Sequence, residues 1–143
     1  MMNFRKRFIT VVLIWGPVVS WMVLIFAGSS LTTDVIESSE TARAYRLAPK
    51  VLNQVTIHLI EFGVLALLVF RGLALDGILP GRHLWLVAVV VTAAYGVTDE
   101  FHQSFVPGRY PSWLDVAYDV IGAIVGSSVA LVWVWCRRRK LVR

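Results

Sequence analysis

The chain has 143 residues, of which 57% are hydrophobic and only 16% are charged, and its mean hydropathy is +0.70. A soluble domain carries about 25% charged residues, so this composition excludes an ordinary soluble domain and favours a protein that has lipid as its solvent. The net charge is +5, but the basic residues flank apolar runs, which indicates membrane topology rather than a nucleic-acid partner. The single cysteine, Cys136, excludes an intramolecular disulfide.

The first apolar run, 8–27, contains no charged residue. At 1.5 Å per residue it is long enough to cross about 30 Å of hydrocarbon. We expect Pro17 to kink this helix without ending it, because neighbouring helices can satisfy the freed carbonyl. Its basic start resembles a signal peptide, but the apolar part of a signal peptide has only about 7–15 residues. We therefore expect a retained helix.

Three further apolar runs follow, and the last two are short. The run 51–70 contains His58 and Glu61, whereas the runs 84–98 and 120–136 fall short of the membrane thickness unless they continue into polar residues. The third helix then includes Asp99, and the fourth begins near Trp113. The sequence therefore predicts an all-α membrane protein, a bundle of four transmembrane helices at about 8–27, 51–71, 84–104 and 113–136.

Lys and Arg counts predict the orientation, since cytoplasmic connections are enriched in these residues. The termini and the 71–83 connection carry ten of them, and the two connections on the other side carry four. We expect a multi-pass protein of the bacterial cytoplasmic (inner) membrane, with both termini in the cytoplasm and residues 1–143 forming one domain. In the first outer connection, Thr33 is a suitable helix N-cap, which predicts a short interfacial helix.

Most of the ionisable residues within the helices are predicted to lie in the outer half of the bundle. Such residues are costly in lipid and are tolerated when they face the bundle interior, paired or hydrated. The alternating helix directions bring them to one polar site between the second, third and fourth helices. The candidate ligand-binding residues are His58, Glu61, Asp99, Glu100, His102, Gln103, Arg109, Asp115 and Asp119.

Simpler interpretations stay open for several of these residues. Asp115 can act only through the dipole at a helix N-terminus, Glu100 can point to water, and His58 can be a hydrogen-bonded core residue. Glu61 is harder to explain in this way, because a carboxylate two to three turns deep needs a partner. The five carboxylates also outnumber their one obvious cation, Arg109, so some must be protonated, cation-bound or hydrated.

A divalent metal ion is a further alternative for the cofactor. His58 and Glu61, and likewise Asp99 and His102, are three residues apart, as are the Glu and His ligands of di-metal helix bundles. These four residues are the candidate metal ligands, but such short patterns are common by chance.

The fourth helix contains Gly122 and Gly126, a spacing that is typical of close helix packing. This face can pack within the bundle or against another copy of the chain, so an oligomer through Gly122 and Gly126 is one alternative. The connection before it contains Pro107-Gly108, which predicts a turn, and Ser112, which is a suitable N-cap.

One long motif carries a family resemblance. Asp99-Glu100-Phe101-His102-Gln103, then Pro107-Gly108-Arg109, then Ser112-Trp113-x-Asp115 resembles the VanZ-like family of small membrane proteins. His58 matches a histidine of the family, and Ser29 and Ser30 fall where the family has serine. Asp119 stands where the family often has Asn, and the lysine that often precedes the histidine is missing here. The resemblance implies the four-helix membrane fold and a functional role for the matching residues, and it links the family to teicoplanin-type glycopeptide resistance.

Three functions are compatible with these residues. The leading interpretation is an envelope-accessory role in which the outer site binds the polar, cationic or hydrogen-bonding group of an amphiphile, such as a lipid-linked cell-wall intermediate or a lipidated glycopeptide. The first alternative is an intramembrane enzyme acting on a lipid head group, with the catalytic candidates His58 or His102 as base, Glu61 or Asp99 as the orienting carboxylate, and Arg109 as an anion clamp. The second alternative is a proton- or cation-coupled carrier.

Overall fold

The computed structural model describes residues 4–31, 50–76 and 81–141, with side chains at 8–31, 54–75 and 81–137. It contains four helices: α1 (Phe4–Ser29), α2 (Lys50–Asp76), α3 (Gly81–Gln103) and α4 (Trp113–Leu141). Each is long and apolar enough to cross a membrane, and these residues include no strand. The predicted all-α bundle of four transmembrane helices is therefore confirmed. The predicted interfacial helix after Thr33 lies outside the described residues.

The helices are longer than the apolar runs, mainly because the polar residues that flank these runs are also helical. α1 begins four residues before the apolar run and continues through Pro17. α3 continues through Asp99 and ends at Gln103, as the length argument predicts. α4 begins at Trp113, where the Ser112 hydroxyl accepts a hydrogen bond from the Leu114 amide at 3.2 Å. This bond confirms Ser112 as the N-cap.

A tight turn leads from α3 to α4. The Arg109 amide donates to the Val106 carbonyl at 3.1 Å, so that Pro107 and Gly108 occupy the two central positions of a β-turn. Gly108 has φ of 80°, which corresponds to a type II turn with proline at the first central position and glycine at the second. The predicted turn is confirmed. Because the connection is short, α4 begins at the same end of the bundle at which α3 ends.

Glycines set the contact between α2 and α4, which is the most extensive helix contact of the bundle. A Cβ added at Gly126 would collide with the backbone of Gly63, and one added at Gly122 would lie 2.6 Å from the Leu59 carbonyl oxygen. The small residues thus let the two backbones approach closely. The Gly122 and Gly126 face is accordingly used for packing within the chain.

α1 packs at the edge of the bundle against α2 and α3. Its polar contacts include the Tyr95 hydroxyl, which donates to the Met22 carbonyl at 2.7 Å, and the Trp21 indole, which donates to the Glu61 carbonyl at 2.9 Å. Adjacent helices run in opposite directions, so the end of α1, the start of α2, the end of α3 and the start of α4 meet. We call this end of the bundle the polar end.

Candidate functional site

The deepest polar pair at the polar end joins α2 to α4. His58 Nδ1 lies 2.8 Å from Asp119 Oδ1, and the two residues are 6% and 0% exposed. α3 makes room for this pair through Gly96, since a Cβ there would lie 2.7 Å from Asp119 Oδ2. With an ionised Asp119 the ring donates from Nδ1, which leaves the lone pair of Nε2 free for another partner.

Glu100 and Asp115 lie beside His58. Asp115 Oδ2 accepts a hydrogen bond from the Gln54 amide nitrogen at 2.8 Å, and Glu100 Oε2 accepts one from the Ser112 backbone amide at 2.8 Å. Both carboxylates are buried. His58, Glu100 and Asp115 each offer one ligand atom, and these three atoms all lie within 4.8 Å of one another. We call His58, Glu100, Asp115 and Asp119 the inner cluster.

Asp99 has a different set of partners. Its Oδ1 accepts a hydrogen bond from the Ser29 hydroxyl at 2.7 Å, and its Oδ2 accepts one from the Gln103 amide at 2.8 Å. Both oxygens therefore have a donor, and the carboxylate links the end of α1 to α3. Asp99 and Gln103 are both buried. Their hydrogen bonds hold α1 against α3, so we place them beside the inner cluster and not within it.

The remaining candidates surround these groups. His102 is half-buried and its ring stacks on Phe26, with centroids 4.1 Å apart. Glu61 is half-buried in α2. Arg109 donates from Nε to the Leu31 carbonyl at 3.4 Å. This bond turns part of the guanidinium towards the end of α1.

The structure decides between some of the interpretations that the sequence leaves open. The alternative in which Glu100 points to water is wrong, because the residue is only 6% exposed. Asp115 does lie in the first turn of α4, but it is buried and bonded to Gln54, so the helix dipole is not its only interaction. His58 is a buried hydrogen-bonded residue, and it also belongs to the inner cluster.

The structure groups the candidate metal ligands differently from the sequence prediction. Pairs three residues apart on one helix suggested His58, Glu61, Asp99 and His102, but among the described residues the group with metal-compatible spacing is His58, Glu100 and Asp115. Only His58 is common to both sets, because the structure groups side chains across three helices.

Gln54 is a site residue that the sequence analysis missed. The signal was its position, since it lies four residues before His58 and hence on the same face of α2.

A groove of about 280 Å3 opens between the end of α3 and the start of α4. Its polar lining consists of Glu100, Ser104 and Ser112. Its apolar lining consists of Val97, Phe101, Pro111, Trp113 and Val116. Trp113 and Phe101 are 82% and 68% exposed, as expected for side chains that face lipid or the membrane interface. The groove thus connects exposed apolar side chains at this end of the bundle to the Glu100 side chain.

The fold and the site define a multi-pass membrane protein with a cluster of ionisable residues buried at one end of a four-helix bundle. The chain belongs to the VanZ/LLP1 family, whose family model matches residues 14–135. The resemblance stated on the Asp99–Asp115 motif is therefore confirmed, and the match extends over parts of all four helices. None of the curated proteins and none of the solved structures matches the chain.

Proposed function

We propose that the protein binds the polar headgroup of a membrane amphiphile at the polar end of its bundle. The observation that carries this proposal is the groove between α3 and α4, which has a mainly apolar lining and reaches a buried carboxylate, Glu100. An amphiphile matches both features, since its chain fits an apolar, lipid-facing surface and its headgroup satisfies the polar group at the inner end.

The charges favour a headgroup that donates hydrogen bonds or carries a positive charge. Glu100, Asp115 and Asp119 lie together in the inner cluster, whereas Arg109 is directed in part to the Leu31 carbonyl. Carboxylates accept hydrogen bonds and attract cations. An ammonium or hydroxyl-rich headgroup therefore suits the site better than a bare phosphate.

The predicted topology places the polar end on the outer side of the bacterial cytoplasmic membrane. An amphiphile that reaches the groove from the outer leaflet can be a lipid-linked cell-wall intermediate or a lipidated glycopeptide. The family resemblance favours an envelope-accessory role of this kind, including lower susceptibility to teicoplanin-type glycopeptides.

The groove can be blocked without changing the charges of the site. We expect Val116→Phe, which fills the groove, to weaken binding of a long-chain alkylamine at least about tenfold. Leu114→Phe is the matched control, because Leu114 is 66% exposed and does not line the groove. Native mass spectrometry of the full chain in a neutral detergent would measure the bound alkylamine, with an alkyl phosphate and an alkyl glucoside of the same chain length as competitors.

Unchanged binding of the alkylamine by both phenylalanine variants would contradict the proposal. Stronger competition by the alkyl phosphate than by the alkyl glucoside would contradict the proposed headgroup class.

The resistance role has its own test. We expect expression of the protein to raise the inhibitory concentration of teicoplanin in a sensitive host, and we expect Val116→Phe to remove this increase. Equal susceptibility with and without the protein would exclude that role.

The hydrogen-bonded pair of His58 and Asp119 favours a second candidate, an intramembrane enzyme acting on a lipid head group. A histidine oriented by a carboxylate is a common general base, and the orienting group here is Asp119 rather than Glu61 or Asp99. Loss of headgroup turnover in His58→Ala, with turnover retained in His102→Ala, is the result expected of this candidate. Full turnover in the variant with both substitutions would exclude it.

A further inference from the structure

We infer that the inner cluster binds a divalent metal ion through one nitrogen of His58 and one carboxylate oxygen each from Glu100 and Asp115. The three ligand atoms come from α2, α3 and α4 and all lie within 4.8 Å of one another, and all three residues are buried. This inference stands on the cluster alone and does not depend on the proposed binding of an amphiphile.

The spacing of the three atoms suits a small cation. Even at the upper limit of 4.8 Å between each pair, a central point lies about 2.8 Å from all three atoms. Zinc takes imidazole nitrogen and carboxylate oxygen at about 2.0–2.2 Å. The side chains therefore need to close by less than about 1 Å, which rotation about χ angles can supply without movement of the helices.

Glu100 provides an independent indication of a missing partner. It is only 6% exposed and its Oε2 accepts a hydrogen bond from the Ser112 amide, whereas its buried Oε1 has no hydrogen-bond partner among the described residues. The large majority of buried side-chain polar atoms have a hydrogen-bond partner, and a bound ion or water is one explanation for an oxygen that has none. Because Glu100 belongs to the group of three, a metal ion bound there would give its carboxylate the partner that it lacks.

Asp119 and Gln54 provide the outer contacts that a metal site needs. Metal-binding histidines almost always donate their other ring N–H to a carboxylate, carbonyl or water, which fixes the tautomer and the ring orientation. His58 offers this arrangement, since its Nδ1 faces Asp119, and coordination through Nε2 would keep that contact in place. Gln54 likewise donates to Oδ2 of Asp115, so coordination through Oδ1 would keep this hydrogen bond.

The donor set selects the class of metal. One imidazole and two carboxylates suit zinc, manganese or ferrous iron, whereas soft metals prefer sulfur, and the only cysteine, Cys136, lies in the last turns of α4, at the opposite end. Three protein ligands leave at least one coordination position open. A dipositive ion also offsets part of the negative charge of Glu100, Asp115 and Asp119.

Zinc binding by the full chain in a neutral detergent tests this inference. After removal of metals with a chelator, we expect one Zn2+ per chain by isothermal titration and a higher midpoint of thermal unfolding with Zn2+. Glu100→Gln and Asp115→Asn should each weaken the affinity at least tenfold. Asp99→Asn is the matched control, because Asp99 is buried beside Glu100 but has donors on both oxygens, and its affinity should stay within about threefold of the unchanged protein.

Zinc X-ray absorption of the unchanged protein gives a test that needs no variant. We expect a shell of nitrogen and oxygen at about 2.0–2.1 Å with one imidazole and no sulfur. Two or more imidazoles, a sulfur ligand, no saturable binding, or unchanged affinity in Glu100→Gln would each overturn the inference. Val116→Phe should bind zinc as the unchanged protein does, so failure of the groove proposal and failure of the metal proposal can be told apart.

Discussion

The buried carboxylates at the polar end differ in how their two oxygens are satisfied. Asp99 has a donor on each oxygen, from Ser29 and Gln103. Asp119 has His58 on one oxygen, and its other oxygen, which is also buried, has no hydrogen-bond partner in the part of the chain that the structure describes. Glu100 shows the same asymmetry. Buried carboxylates at the same end of the bundle thus have separate roles: Asp99 serves helix packing, and Asp119 and Glu100 belong to the inner cluster.

The bond between His58 and Asp119 should contribute measurably to stability. We expect Asp119→Ala to lower the free energy of unfolding by about 1–2 kcal/mol, the upper range for one hydrogen bond between membrane helices. Asp119→Asn should lower it by about half as much, because the amide oxygen can still accept from Nδ1. Unfolding by SDS in mixed micelles, followed by circular dichroism, would measure both. Equal losses in the two variants would show that the retained acceptor does not stabilise the pair.

At the scale of the helices, the close approach of α2 and α4 positions the inner cluster. Gly63, Gly122 and Gly126 let the two backbones meet without intervening side chains. This contact sets the rotation of α2 about its own axis, so that His58 faces Asp119. Gly96 in α3 has a related role, since its lack of a side chain leaves space for Asp119.

Adding one methyl group to this contact tests the role of the glycines. Gly126→Ala would place a Cβ against the backbone of Gly63, and since backbone cannot move aside as a flexible side chain can, we expect a loss of about 1–3 kcal/mol in the free energy of unfolding. Gly28→Ala is the control, because no atom of the described residues lies within 4 Å of its Cβ position, and alanine favours the helix. Stability of Gly126→Ala equal to that of Gly28→Ala would contradict this account.

At the scale of the whole molecule, the alternating directions of the four helices bring the polar residues near the helix ends together at the polar end. The structure shows that the ends meet, through contacts such as Ser29 with Asp99 and Gln54 with Asp115. Which side of the membrane this end faces is a prediction from the distribution of Lys and Arg.

Cysteine labelling in intact cells tests that orientation. Cys136 is exposed near the opposite end of α4, and it should react with a membrane-impermeant maleimide only after the cells are opened. In the Cys136→Ser protein, Tyr110→Cys should react from outside, because Tyr110 is 87% exposed in the connection between α3 and α4. The opposite pattern would show that the polar end faces the cytoplasm, and the proposed entry from the outer leaflet would then fail.

The features that depend on local physics could be predicted from the sequence. The number of spans follows from the lengths of apolar runs compared with the bilayer, and the continuation of α3 through Asp99 follows from the same comparison. The Pro107-Gly108 turn and the Ser112 cap depend on backbone preferences of single residues, and they were predicted for that reason. The gathering of polar residues at one end follows from the alternation of helix direction, which needs no knowledge of packing.

The contacts between polar side chains of different helices could not be predicted in this way and are known from the structure. The spacing along one helix favoured His58 with Glu61 and Asp99 with His102, whereas the structure joins His58 to Asp119 and places it beside Glu100 and Asp115. These contacts depend on the rotation and depth of each helix relative to its neighbours. The close packing at Gly63 and Gly126 sets both quantities for α2 and α4, and no single helix contains that information.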